Sequence, residues 1–314
     1  MTVARDLAEF LTGTSSADLP PQAVEHAAML IASTLASAAM GAGLDSSTII
    51  RDLARERAGS LEASVWFDPG PKLPVSDAAQ VNAVMSDAAA SDDSDLRNIV
   101  HAGTTLVASA LAMTERTGAS GGDVLAAIVL GYEAAGRIGE AITPGFRTRG
   151  FHGCLVAIFG GAVAAGRLLQ LDADHMAQAI ALSATSIGGL MSAANTSVAR
   201  EYHAGLAAML GVQAALAAQR GYKAEEGILE TRRGFFEVYG GTDGATGRAG
   251  VTHELGQSWG GLRSELRADR LQSQNAGATA GSNRRRCAAS LPSPDRSGLR
   301  GPSSVKPVVI GVIG

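Results

Sequence analysis

Ala204-Gly-Leu-Ala-Ala-Met-Leu-Gly-Val-Gln-Ala-Ala-Leu-Ala-Ala218 is almost wholly apolar, yet most of its side chains are no larger than a methyl group. Gly160-Gly-Ala-Val-Ala-Ala-Gly166 has the same character. Apolar positions recur with helical period in both, and small side chains let helix axes approach closely. The pattern predicts a compact, many-layered helical bundle rather than four helices around a leucine core.

The rest of the chain extends that reading. Leu7, Phe10 and Leu11 form a stripe on a short first helix, and Pro20-Pro21 opens a second. Asp45 or Ser46 is placed to cap a third that runs across Ile49 to Ala58. Further helices are expected at about 76–90, 102–117, 122–141, 153–169, 173–191 and 197–219, punctuated by Gly, by Asp caps and by Thr143-Pro144-Gly145. Ala63-Ser-Val-Trp-Phe67 is the one stretch that reads as a strand. Nine helices with scarcely a strand make an all-α body, and the lack of a 30 to 45 residue repeat argues against a helical solenoid.

With 314 residues, 46% of them apolar, the chain can bury a substantial core. The 26 basic and 30 acidic residues leave a net charge of -4, which suggests neither a nucleic-acid groove nor an anionic membrane surface. Every apolar run is interrupted before the length that spans a bilayer, about 18 to 20 residues. The N-terminal residues carry acids and no cleavable apolar stretch, and Cys154 and Cys287 make neither a disulfide framework nor a zinc site. A soluble, cytoplasmic protein without metal or cofactor is the expectation.

Charge is unevenly distributed. Residues 260–314 hold nine basic and three acidic residues, a net of +6, which leaves -10 on the first 259. That tail is rich in Gly, Ser, Pro and Arg and has no helical or alternating period, so it cannot offset the entropy of ordering. It reads as a disordered basic tail, or as the product of a changed reading frame after Trp259.

Three places carry chemistry. Ser91-Asp92-Asp93-Ser94-Asp95-Leu96-Arg97-Asn98 leads to His101 before the fifth helix. Its crowded carboxylates raise one another's pKa unless a cation or donor compensates, so they serve as a helix cap or as a divalent metal site. The spacing lacks a second acidic motif to complete a metal site. Arg149-Gly-Phe-His152 stands before a small-residue helix, where the dipole lowers an imidazole pKa and exposed N–H groups attract anions. Arg200-Glu-Tyr-His203 repeats the arrangement. Together they describe a cationic pocket for a small polycarboxylate, with imidazoles for proton transfer. His26, His175 and His253 have no such company.

These segments, in their order, resemble the MmgE/PrpD family, which includes 2-methylcitrate dehydratases, cis-aconitate decarboxylases and iminodisuccinate epimerases. The resemblance rests on Leu19-Pro-Pro-Gln-Ala-Val-Glu-His-Ala27, Asp92-Asp-Ser94 with His101, Ser120-Gly-Gly-Asp-Val-Leu-Ala-Ala-Ile-Val-Leu-Gly-Tyr-Glu133, Arg149-Gly-Phe-His152 and His203-Ala-Gly-Leu-Ala-Ala208. Gly227-Ile-Leu-Glu230, Gly234-Phe-Phe236 and Glu254-Leu-Gly-Gln-Ser-Trp259 continue it. It implies a large helical domain over residues 1–259, a smaller α/β lid that is missing here, metal-free lyase or isomerase chemistry on di- or tricarboxylates, and a homodimer.

By the same resemblance His101 and His152 are the acid and base, with Asp92 and Asp93 orienting them. Ser94, Arg149, Arg200 and His203 bind carboxylates. The sequence departs from the family pattern at Ala90, where many members have Asp, at Arg200, where many have Lys, and at Ala102-Gly103, which replace Pro-Ser. A guanidinium clamps a carboxylate well but carries protons poorly. Without a lid the expectation is impaired turnover, or a helical module that only dimerises.

Overall fold

A computed structural model describes residues 1–57, 59–90, 93–186, 188–241, 247–257 and Trp259. Asp92 and residues 260–314, the expected tail, lie outside the described residues. Among those described the protein is all-α. The longer helices are α1 (Val3–Gly13), α2 (Pro21–Gly41), α3 (Asp45–Glu56), α4 (Val75–Ala88), α5 (Ala102–Thr117) and α6 (Gly121–Ile142). After the short α7 (Gly145–Thr148) come α8 (Cys154–Leu168) and α9 (Ala173–Ser183). The short α10 (Met191–Thr196) precedes α11 (Ala199–Gln219), and α12 (Gly247–Thr252) follows.

Local chemistry sets several boundaries. Ser120 and Asp123 close a reciprocal capping box at the start of α6, and Asp172 caps α9 by accepting from the His175 amide. Gly118 ends α5 in the left-handed conformation, at φ 70°, as a helix C-terminus favours. On α3 the expected cap is not made. Leu44 holds the cap position and Asp45 lies in the first turn, where its charge meets the helix dipole.

Two other expectations are corrected. Residues 63–67 form no strand, only an isolated bridge between Ala63 and Leu73. The Trp66 amide donates to Asn82 Oδ1 at 2.9 Å, and Phe67 turns to φ 57°, so extension stops there. The helix expected over 173–191 ends at Ser183, and the chain runs back through Gly189 to pair with Phe151 and His152.

At the centre is α8, buried along nearly its whole length, as suits a helix that is apolar all round. It packs against α5, α6, α9 and α11, while α4 lies against α2, α3, α5 and α11. The α6 and α8 axes meet at paired glycines: a Cβ on Gly131 would stand 2.7 Å from the Gly160 carbonyl oxygen and 2.4 Å from Leu106 Cδ1. Such proximity of backbones is what the small-residue composition permits. The first helix is tied to the far end of the fold, with Arg5 paired to Glu226 at 2.7 Å, the Val3 amide donating to Glu230 at 3.0 Å, and Phe10 against Trp259 with ring centroids 5.8 Å apart.

Among the described residues one helix, α2, is long and apolar enough by length and composition to cross a membrane, with a mean hydropathy of 1.3, unlike the sequence reading. Its Ser and Thr interruptions are too nearly neutral to lower that average. In this structure Ala27, Thr34, Ser37 and Ala38 face inward, and Ser37 Oγ donates to the Ser86 carbonyl of α4 at 2.6 Å.

Gly131→Val should lower stability by about 2 to 3 kcal/mol, the cost of overpacking a filled core. Urea denaturation of the variant checks this, and a loss within error of zero would contradict the packing described.

Candidate active site

The site begins with the loop before α5. Asp95 accepts from Arg97, Nη2 to Oδ2 at 2.6 Å, and Arg97 Nη1 lies 3.7 Å from Glu133 on α6. Glu133 Oε1 in turn takes Arg137 Nε at 2.6 Å, and Arg137 Nη1 reaches the Val251 and His253 carbonyls at 3.2 and 2.7 Å. All four side chains are buried, so each charge needs its partner. Asp93 is engaged as well: Oδ1 accepts the Gly103 amide and Oδ2 the Tyr132 hydroxyl, both at 2.9 Å. Burial and the Asp93 charge push the Tyr132 phenol well above its ordinary pKa, which keeps it a donor. The expected carboxylate crowding is thus relieved by donors, and Asp93 acts as a cap for α5.

The same loop fixes His101 at the N-cap of α5. Its Nδ1 donates to the Asp93 carbonyl, which places a ring proton on Nδ1. Ile99 stands at φ 56°, a strained conformation for a β-branched residue, and Arg147 Nη1 donates to its carbonyl at 3.2 Å. Ser94 is half-buried in this loop.

His152 lies just before α8. Its amide donates to the Gly189 carbonyl at 2.9 Å, and its Nδ1 accepts the Cys154 amide at 3.3 Å, leaving the ring proton on Nε2. From α11 comes His203, whose ring centroid is 5.1 Å from that of His152. Arg200, one turn earlier on α11, binds Asp87 at the end of α4, Nε to Oδ2 at 2.8 Å and Nη2 to the carbonyl at 2.5 Å. His203 is therefore inside the helix rather than ahead of it.

Burial pushes the His152 imidazole down to about 3, and the charges of His203, His101, Arg200 and Arg147 push the same way. Burial also lowers His203, and it raises the Cys154 thiol to about 12. Side chains from three separate segments thus act on one half-buried ring. The structure brings His101, His152, Arg200 and His203 together. It does not bring Arg149, whose guanidinium donates to the carbonyls of Glu237 and Val238. Arg147, not Arg149, is among the charges that act on His152. Sequence spacing singled out the arginine three residues before each histidine, and Phe146-Arg-Thr-Arg149 offered an equal candidate two residues earlier. Asp87 was also missed, since nothing in Ser86-Asp-Ala88 marks it as the partner of a residue on α11.

Residues 5–247 match the MmgE/PrpD N-terminal domain. The chain belongs to the MmgE/PrpD family. It is 29% identical over 250 residues to the cis-aconitate decarboxylase of Aspergillus terreus, covering 74% of this chain and 49% of that protein. To the cis-aconitate decarboxylase of Homo sapiens it is 26% identical over 243 residues, covering 76% and 50%. It spans about half the length of these relatives.

The low His152 pKa has a consequence for stability. Its unfolded value is 6.5 and its folded value about 3, so the folded state binds fewer protons between those limits. This site contributes no pH dependence above about 6.5 and costs stability as pH falls through the window, up to about 1.4 kcal/mol per pH unit. In urea titrations at about pH 7 and about pH 5, wild type should lose more stability than His152→Gln, by roughly 2 kcal/mol. Equal losses would mean that the ring is not buried and neutral.

Proposed function

We propose that these residues form the helical part of an MmgE/PrpD-type lyase site that moves a proton next to a carboxylate of a small di- or tricarboxylate. The observation that carries this reading is the His203 ring 5.1 Å from the half-buried ring of His152, on which the charges of His101, Arg200 and Arg147 also act. The relatives named for cis-aconitate decarboxylation support a tricarboxylate as the first substrate to try.

The tautomers divide the labour. With Nδ1 held by the Asp93 carbonyl, His101 acts through Nε2 as the base that takes a proton from carbon. Nε2 of His152 carries the ring proton and donates it toward the developing carbanion or enediolate. A neutral imidazole offers its N–H as a hydrogen bond without adding a charge of its own, and a bound anion offsets the cations around it. Arg147 and His203 hold substrate carboxylates, and Asp87 fixes Arg200 at their side. Asp93 acts through His101 and α5 as a positioning residue.

Calorimetry with cis-aconitate and citrate should show weak binding that fades with added salt. His203→Asn and Arg147→Ala should each weaken it about tenfold or more, the value of a hydrogen bond to a charged group. Turnover is measured for this chain and for the chain joined in frame after Trp259 to the C-terminal half of such a relative. Unchanged binding in both variants would refute the site. Binding without turnover in either protein would leave a helical binding and dimerisation module.

A further inference from the structure

At Gly189, between α9 and α10, the chain meets both imidazoles of the paired rings. It is tied down there through its backbone: the Gly189 carbonyl accepts the His152 amide at 2.9 Å, the Met191 amide donates to the Gly150 carbonyl at 2.8 Å, and Leu190 forms a bridge with Phe151. Residue 189 is thus held to the same turn that carries one of the two histidines.

That place has no room for a side chain. A Cβ on residue 189 would sit 2.7 Å from Cys154 Sγ, 3.2 Å from His203 Nδ1 and 3.3 Å from His152 Cβ, whereas one on the neighbouring Gly188 would meet nothing within 4 Å. The φ of Gly189 lies outside the left-handed region, so its backbone suits any residue and the demand for glycine is one of space. The two rings depend on it unequally. His152 is oriented by the Cys154 amide on its Nδ1, at 3.3 Å. The Nδ1 of His203 is buried and makes no hydrogen bond, so among the described residues packing sets that edge of the ring. With Nδ1 turned to residue 189, Nε2 is the nitrogen left to meet a substrate.

We propose that Gly189 is a positioning residue for His203: the bare backbone at 189 sets the angle of that ring, and with it the gap between the two imidazoles that receives a substrate carboxylate. The part of this that concerns a carboxylate rests on the polycarboxylate reading. A methyl group at 189 displaces the half-buried His203 ring toward solvent, because the segment beneath it is fastened by backbone bonds and His152 by its own. Gly189 touches no reacting atom and acts only through His203.

The test compares the full chain with its Gly189→Ala variant. Burial holds the His203 imidazole below its ordinary value of 6.5, and displacement toward solvent should bring its NMR titration closer to that value, the signal being assigned through His203→Asn. Calorimetry should show cis-aconitate binding about tenfold weaker in Gly189→Ala, with no further loss when His203→Asn is added, since both changes remove one contact. Circular dichroism checks folding. Where Gly189→Ala does not fold, Gly and Ala at 189 are compared in a Cys154→Ala background, which removes the 2.7 Å contact and keeps the 3.2 Å contact to His203. A glycine with a merely structural role would leave the His203 titration unmoved, and its loss of binding would add to that of His203→Asn; either result overturns the proposal. If the parent chain binds no cis-aconitate the polycarboxylate reading fails, and the His203 titration still decides the role of Gly189.

Discussion

The buried chain of charges from Asp95 through Arg97 and Glu133 to Arg137 is the constraint around which the site is arranged. None of these groups could be buried alone, because the desolvation of one ion exceeds what packing returns. Paired, they join the loop before α5 to the middle of α6, and through the Val251 and His253 carbonyls to the last described residues. Gly136 is part of the joint, since the Arg97 guanidinium lies where its Cβ would be. His101 inherits its position from this chain, and so does the strained Ile99 whose carbonyl Arg147 reaches.

The other half of the site depends on packing rather than charge. α8 and α11 can place His152 and His203 ring to ring only because their small residues let the helices lie close. Arg200 then reaches from α11 across to Asp87 on α4, a bond that fastens the helices behind the rings. Cationic groups and a low-dielectric surround act together on His152, and each strengthens the effect of the other.

Much of this fold was legible because its signals are local. The span 102–117 follows from periodicity and from Gly118, and α6 from Ser120 and Asp123. The break after Ser183 was not legible, since Ala181, Ser183 and Ala184 continue a helical composition. Past the helix end the chain is held by a long-range bond, from the His152 amide to the Gly189 carbonyl. The histidines of the site stood out by their helix starts, whereas Arg147 and Asp87 did not. Which of two nearby arginines turns inward, and which acid meets it, depends on how helices cross, and spacing along one strand of sequence cannot tell.

The attachment of α1 has an implication for how the chain is made. Arg5 and Val3 find their partners in Glu226 and Glu230, and Phe10 meets Trp259, so the first helix to leave the ribosome is among the last to be docked. Its contacts are about as non-local as this chain allows, and non-local contacts form late because loop closure precedes any gain from them. Until α9 emerges, and residues 226–259 after it, the apolar stripe of Val3, Leu7 and Leu11 has no finished surface to rest on. During synthesis that stripe is the natural target for a chaperone.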